Sequence, residues 1–282
     1  MITSSKKHII WIASYPKSGN TWFRIFLARF LYGIQNINAI SIPIYSSKSF
    51  LEKEADIDVS ELSDVDLHQL RLDVYAKYIS NERDIFPVKI HDCFQYQFDS
   101  MPFLPFNQSK AVVYLVRNPF DLAVSFSRHL GVDIDKTIAI MNTENYTLSI
   151  PSKKYLSQMP QLLNTWSSHI RGWLHQKEIP LLLVKYEELI KQPQKEFARI
   201  LDCLNISYSD MKLNDAIQFA SFENLSSQEK KYGFQEKSIH SHTFFHTGKS
   251  FYYKNYLNEK QIKTIFEQHS SIIKQLGYDF DF

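Results

Sequence analysis

The chain reads as an α/β protein: a parallel sheet sandwiched between helices. Three observations carry that reading. Four short apolar runs, at residues 9–13, 86–91, 110–116 and 180–184, alternate with stretches of helical periodicity. These runs are not split into apolar and polar faces, as befits strands buried on both sides. Two of them pass through a turn straight into a helix pattern, over 9–33 and 110–131.

The elements follow in order. The run Ile-Ile-Trp-Ile-Ala at 9–13 is broken by Tyr15, Pro16, Lys17, Ser18, Gly19 and Asn20, which carry turn chemistry. Trp22, Ile25, Phe26, Leu27, Phe30 and Leu31 then recur at helical spacing, and Gly33 closes that helix. Residues 34–60 lack clean periodicity and are expected as loop and short helix at the mouth of a site. Leu62, Val65, Leu67, Leu70, Leu72, Val74, Tyr75 and Tyr78 predict a helix over about 64–80. Residues 86–91 form a short strand ending in His91. Phe94, Tyr96, Phe98, Met101 and Phe103, with Pro102 and Pro105, predict an irregular aromatic segment beside a pocket.

Residues 110–116 are the clearest buried strand. Asn118 then suits a helix cap, Pro119 the first helical position and Gly131 the stop. Residues 132–157 are weakly patterned. Leu162, Leu163, Trp166, Ile170, Trp173 and Leu174 predict an amphipathic helix over 160–176. A last strand at 180–184 precedes Lys185-Tyr186-Glu187-Glu188, and helices are expected over 193–204 and 210–219. Residues 226–250 hold no core pattern and are rich in Lys, Ser and His, as in a lid or a disordered loop. A helix over 258–276 ends at Gly277, and no internal repeat is present.

Composition bounds the function. A chain of 282 residues, 44% hydrophobic, suits one large domain over 1–282. A net charge of +2 is too mild to argue for a nucleic-acid partner. The 21 Phe and 16 Tyr fit either an aromatic-lined pocket or a compositional bias. Cys93 and Cys203 are far apart, in no metal-like spacing, which fits a reducing compartment. No apolar run has the length of a signal peptide or a membrane span, so a soluble cytoplasmic protein with no membrane partner is expected. A homodimer is compatible with the chain.

A loop opening onto a helix N-terminus aims free N–H groups and the positive end of the dipole at one point, which favours an anion. Here Lys17 adds a charge, Ser18 and Thr21 add hydroxyls, and Gly19 allows close backbone approach. The loop is not a Walker A motif: it has one glycine, and its lysine precedes it. The order Tyr-Pro-Lys-Ser-Gly-Asn-Thr-Trp instead resembles the 5′-phosphosulfate loop of the cytosolic-type sulfotransferases. These enzymes use 3′-phosphoadenosine 5′-phosphosulfate (PAPS) and release adenosine 3′,5′-bisphosphate (PAP). The opening Trp-Ile-Ala-Ser-Tyr-Pro-Lys looks most like bacterial members, including those that sulfate natural products. The resemblance implies a P-loop-kinase-like three-layer sandwich.

Further segments extend it. Arg117 offers a planar donor fork suited to phosphate, and Ser125 follows eight residues later, two helical turns along. The resemblance assigns this pair to the 3′-phosphate of the nucleotide; a capped helix with a surface ion pair is the structural alternative. Lys89-Ile90-His91 is similar to the family's Lys-x-His, which supplies the catalytic base. A neutral histidine suits removal of a hydroxyl proton near neutral pH, and Lys89 shares its strand face. Tyr186, in a segment like the family's strand ending in Tyr-Glu, and Trp22 are implied as adenine contacts. Ser221 and Phe222 are implied around the nucleoside.

The family's late clamp aligns with residues 244–255, where Gly248, Lys254 and Asn255 match. His246 and Thr247 replace its Arg and Lys, so Lys249 or protonated His246 is left to substitute. His240, His242 and His246 lack an acid or cysteine to complete a metal site, and no metal is expected.

The resemblance implies in-line transfer of a sulfuryl group from PAPS to a hydroxyl or amine of a small acceptor, an alcohol or phenol. Lys17, Ser18, Gly19, Asn20 and Thr21 are expected to hold the donor's phosphosulfate end, with Trp22 on the adenine, and Lys89 and Ser125 to support the transition state. Two alternatives share the fold: an ATP-dependent kinase and a non-catalytic PAP-binding protein.

Overall fold

The structure, a computed structural model, describes residues 8–77, 85–95, 101–148 and 158–278. In chain order its elements are β1 (Ile9–Ser14), α1 (Asn20–Tyr32), α2 (Lys48–Ala55), α3 (Asp64–Lys77), β2 (Phe86–Ile90), β3 (Ser109–Val116), α4 (Pro119–Leu130) and α5 (Ile134–Met141). There follow β4 (Thr147–Leu148), β5 (Gln161–Leu162), α6 (Trp166–His175), β6 (Leu181–Lys185), α7 (Tyr186–Lys191), α8 (Pro193–Cys203), α9 (Asp210–Phe219), α10 (Phe222–Tyr232) and α11 (Glu259–Gln275). Tyr78, Tyr96 and Phe98 lie outside the described residues.

The sheet runs β2-β1-β3-β6, with every pairing parallel. Period-two alternation along the central strands sorts their side chains into two cores. Ile9, Trp11 and Ala13 of β1 join Val112, Tyr114 and Val116 of β3 on one face, against Phe126 of α4, Trp166 and Trp173 of α6 and Ile272 of α11. Ile10, Ile12, Val113 and Leu115 face the other way, against Phe23 and Phe26 of α1, Phe197 of α8 and Leu213 of α9. Helix, sheet and helix therefore make three layers, the expected architecture. It also explains why the strands read as unbroken apolar runs: both faces are buried.

The chain lays β2 on one side of β1 and β3 on the other. The strand order therefore reverses at β1, and in such sheets a crevice opens beyond the carboxyl ends of the strands at the reversal. Ser14 ends β1, His91 follows β2, Arg117 follows β3 and Tyr186 follows β6. Four of the chemically suggestive segments thus reach one edge of the sheet.

Three expectations are corrected. The helix expected from residue 160 begins at Trp166, because Thr165 caps it by accepting from Ser168 N; Gln161 and Leu162 instead pair antiparallel with Thr147 and Leu148. The weakly patterned 132–157 contains α5, whose N-cap is Asp133. The loop expected from residue 226 begins later, since α10, capped by Ser221, runs to Tyr232 before Gly233.

Candidate active site

A cavity of about 570 Å³ opens over the carboxyl edge of the sheet. Lys17, Gly19, Asn20, Thr21 and Trp22 line it from the first loop, Lys89 and His91 from β2, and Arg117, Ser125, Arg128 and His129 from the β3–α4 unit. Tyr186 lines it from α7, and Phe222, Glu236, Phe244, His246, Thr247 and Gly248 from the later chain.

The first loop turns through two left-handed residues, Lys17 (φ 69°) and Gly19 (φ 97°). For lysine that conformation costs about 1–2 kcal/mol. Gly19 is required twice over: its φ disfavours any Cβ, and a Cβ would stand 2.6 Å from Tyr186 Cδ2. Asn20 Nδ2 donates back to Ile12 O (2.9 Å) and Ser14 Oγ (3.2 Å), tying the loop to the end of β1. No side chain caps α1. Its first N–H groups thus remain available to an anion.

Two lysines meet here. Lys17 Nζ lies 4.2 Å from the centroid of the Phe244 ring. Burial, then the nearby positive charges of Lys89 and Arg117, lower its pKa to about 7, against the opposing pull of Glu236 and Glu229. Burial likewise brings Lys89 down to about 8. Glu236 joins this cluster from the late loop. It accepts from Arg24 Nη1 (2.8 Å) and from Thr21 Oγ1 (3.2 Å).

His91 is oriented from two sides. Its Nδ1 donates to Ser14 O at 2.7 Å, which leaves Nε2 as the basic nitrogen. Burial and the charge of Lys89 hold its pKa well below the ordinary histidine value, so the ring is neutral at physiological pH. Its own carbonyl accepts from His169 Nε2 (2.9 Å), and His169 Nδ1 accepts from the Tyr114 hydroxyl (2.8 Å). A buried relay thus fixes the backbone that carries the ring.

Arg117 leads into the second corner. It is 6% exposed, donates to Lys17 O (3.3 Å) and Lys249 O (3.4 Å), and stacks 4.2 Å from the Tyr186 ring centroid. Behind it the turn is fully braced. Asn118 caps α4 through Asp121 N, and Glu187 Oε1 accepts from Asn118 N and Nδ2, both at 2.9 Å. Asp121 is buried and accepts from Asn118 Nδ2, Phe251 N and Tyr253 N, fastening the late segment to α4. Tyr186 meets Trp22 edge-on at 5.7 Å, and Trp22 Nε1 donates to Ala220 O. Gly248 (φ 58°) lies against Phe222, whose ring a Cβ would meet at 2.5 Å.

Not every expected residue reaches the cavity. Ser221 spends its hydroxyl on capping α10. Ser18 is buried in the loop, and Lys249 lines a separate hollow beside Lys185 and Tyr278, contributing only its carbonyl to Arg117. His246 does not supply the charge expected of it: its Nδ1 accepts from Arg128 Nη1 at 3.0 Å, and desolvation together with that guanidinium lowers its pKa. Sequence reasoning passed over Asp121, Glu187, Glu236 and Arg128. Asp121 left a signal, an acid three residues after a capping Asn. Glu236 left none, being an acid in a loop that reads as a solvated lid. Among the described residues no cluster of His, Cys, Asp or Glu has the makings of a metal site, and no helix is long and apolar enough to cross a membrane.

An uncapped helix start, lysines beside it and an arginine across one crevice define an anion-binding α/β protein. Comparison with known proteins is more specific. A family model described as "Sulfotransferase domain" matches residues 7–276. The chain belongs to the sulfotransferase family, whose sulfuryl donor is PAPS. It is 24% identical to a flavonol 3-sulfotransferase from Flaveria bidentis over 274 residues, 91% of this chain and 78% of that one. Its fold is similar to a mouse sulfotransferase complexed with PAP (TM-score 0.58, 18% identity, 96% of this chain and 85% of that one). It is also similar to a retinol dehydratase complexed with androsterone and PAP (TM-score 0.60, 17% identity, 97% and 82%). The kinase alternative is set aside on the family match.

Proposed function

We propose that the chain is a single catalytic unit that sulfates a hydroxyl or amine of a small-molecule acceptor, with His91 as the base. The acceptor's oxygen or nitrogen attacks sulfur as His91 Nε2 takes its proton. The bond from sulfur to the 5′-phosphate oxygen breaks in line, and PAP leaves with the electron pair. Lys17 neutralises that leaving oxygen, and Lys89 stabilises charge on the sulfuryl oxygens. The amides at the start of α1 and the Thr21 hydroxyl hold the 5′-phosphate, Arg117 and Ser125 hold the 3′-phosphate, and Trp22, Tyr186 and Phe222 enclose the base. Catalysis on this reading is positioning and fixed charge, with no step assigned to a metal.

The observation that carries the reading is the convergence of His91, Lys17 and Lys89 on one cavity, with His91 Nδ1 tied to Ser14 O. The relatives named for a flavonol and complexed with androsterone support a small acceptor with a ring-borne oxygen. The test is PAPS turnover against a panel of phenols, alcohols and amines, with His91→Ala in parallel. Turnover should fall by about 10²–10⁴-fold while PAP binding is kept. Tight PAP binding with no turnover by the unaltered protein on any acceptor would favour the non-catalytic alternative.

A further inference from the structure

The cavity holds a cation that the reading above leaves unused. Arg128 sits on α4 one turn beyond Ser125, on the same face, and both residues line the cavity. Its guanidinium is held rather than neutralised. Nη1 donates to His246 Nδ1 at 3.0 Å, and the group lies 4.7 Å from the centroid of the Tyr256 ring. Among the described residues it has no carboxylate partner, and its other N–H groups have no acceptor.

Arg128 and Arg117 line the same cavity, and a pair of tyrosines links them. Arg117 lies 5.6 Å from the Tyr252 ring, Tyr252 meets Tyr256 edge-on at 5.9 Å, and Tyr256 carries Arg128. The Tyr252 phenol is exposed to the positive charge of both. Asp121 lies nearby, but two of its bonds are taken by backbone N–H groups of residues 251 and 253. Two guanidiniums lining one cavity, neither of them in a salt bridge among the described residues, suit a doubly charged phosphate monoester better than a singly charged group.

We propose that Arg128 is the second cation of the 3′-phosphate subsite, held in place by His246 and Tyr256, and that it sets the preference for a 3′-phosphorylated donor. The inference rests on the PAPS reading of this same cavity. It gives His246 a new part: the neutral ring is a hydrogen-bond acceptor that aims Arg128, and the charge comes from α4 instead of the late loop.

Calorimetric titration of PAP and of adenosine 5′-monophosphate, which lacks the 3′-phosphate, tests it on the unaltered protein, Arg128→Gln and Arg128→Lys. In Arg128→Gln, PAP affinity should fall about 10- to 100-fold, the loss expected for charge-assisted hydrogen bonds, with the monophosphate within about threefold. Arg128→Lys should recover part of the loss, since it keeps the charge without the fork. An unchanged PAP affinity, or equal losses for both nucleotides, would overturn the role of Arg128 and leave the donor assignment intact. If the unaltered protein binds PAP no more tightly than the monophosphate, the donor reading itself fails and Arg128 goes with it.

Discussion

At the β1–α1 corner the chain turns through left-handed Lys17 and Gly19, and nothing caps the helix that follows. At the β3–α4 corner Asn118 caps the helix, Pro119 occupies its first turn, and Glu187 and Asp121 saturate the donors of Asn118. Both corners join a central parallel strand to a helix, and both reach the same cavity. They differ in what they do with their polar groups. The first leaves amides and an amine unpaired, as a site for a changing charge requires. The second satisfies itself internally and presents a guanidinium on a rigid base, as a fixed grip requires. Chemistry is expected at the strained corner and anchorage at the braced one, and substitutions should separate the two.

The largest effect is expected at the braced corner. Asp121→Ala would remove the acceptor for Asn118 Nδ2, Phe251 N and Tyr253 N together. Leaving such buried donors unpaired should destabilise the fold by about 3–5 kcal/mol, read as a lowered urea midpoint. The late segment should come loose as well, and PAP affinity should fall with it. Unchanged stability would mean that this corner is not the anchor described.

Lys17→Met, at the strained corner, should do the opposite. It removes a buried charge, so the fold is kept or slightly stabilised, while kcat falls about 10²–10³-fold from loss of charge at the leaving oxygen. Comparable losses of stability and turnover would erase the distinction between the corners. Gly19→Ala is intermediate. Its Cβ would meet both an unfavourable φ and the Tyr186 ring, which is itself stacked on Arg117. A loss of about 1–3 kcal/mol of stability is expected, with a weaker PAP titration, because the loop and the adenine contact move together.

Much of this was legible in the sequence, and the reason is local. The buried strands, Gly33, Gly131 and the Asn118-Pro119 start each depend on neighbours a few residues away, so spacing alone reports them. The amine, the imidazole and the guanidinium were legible because parallel strands deliver whatever follows them to one edge. The braces were not. Glu187 reaches Asn118 across 69 positions and Asp121 reaches Tyr253 across 132, and nothing in either segment announces the other. Arg128 was passed over because one face of α4 carries core and cavity residues within a turn of each other. The protonation of His246 was misjudged because it depends on that same arginine. Ser221 was assigned to the nucleoside when its hydroxyl was needed as a helix cap.

The smallest effect is a pH dependence of donor binding, shared by Lys17 at the strained corner and Lys89 on β2 and absent from the braced corner. In the free protein Lys17 titrates at about 7 and Lys89 at about 8, each lowered first by burial. Positive Lys89 and Arg117 push Lys17 further down, and Glu236 and Glu229 oppose them; for Lys89, Glu236 opposes the lowering and Arg24 adds to it. A bisphosphate in the cavity adds negative charge and raises both values. Below about pH 6 both amines are already protonated, and binding takes up almost no proton. As pH rises through these values binding must recruit protons, so PAP affinity should fall, by at most about tenfold per pH unit for each group. His91 is neutral throughout this window and adds nothing. Titrations in buffers of different ionisation heat would count the protons. Lys17→Arg, which stays charged, should remove the Lys17 share and leave that of Lys89. An affinity that rises with pH would contradict the sign. A slope unaffected by Lys17→Arg would assign the titration away from the first corner.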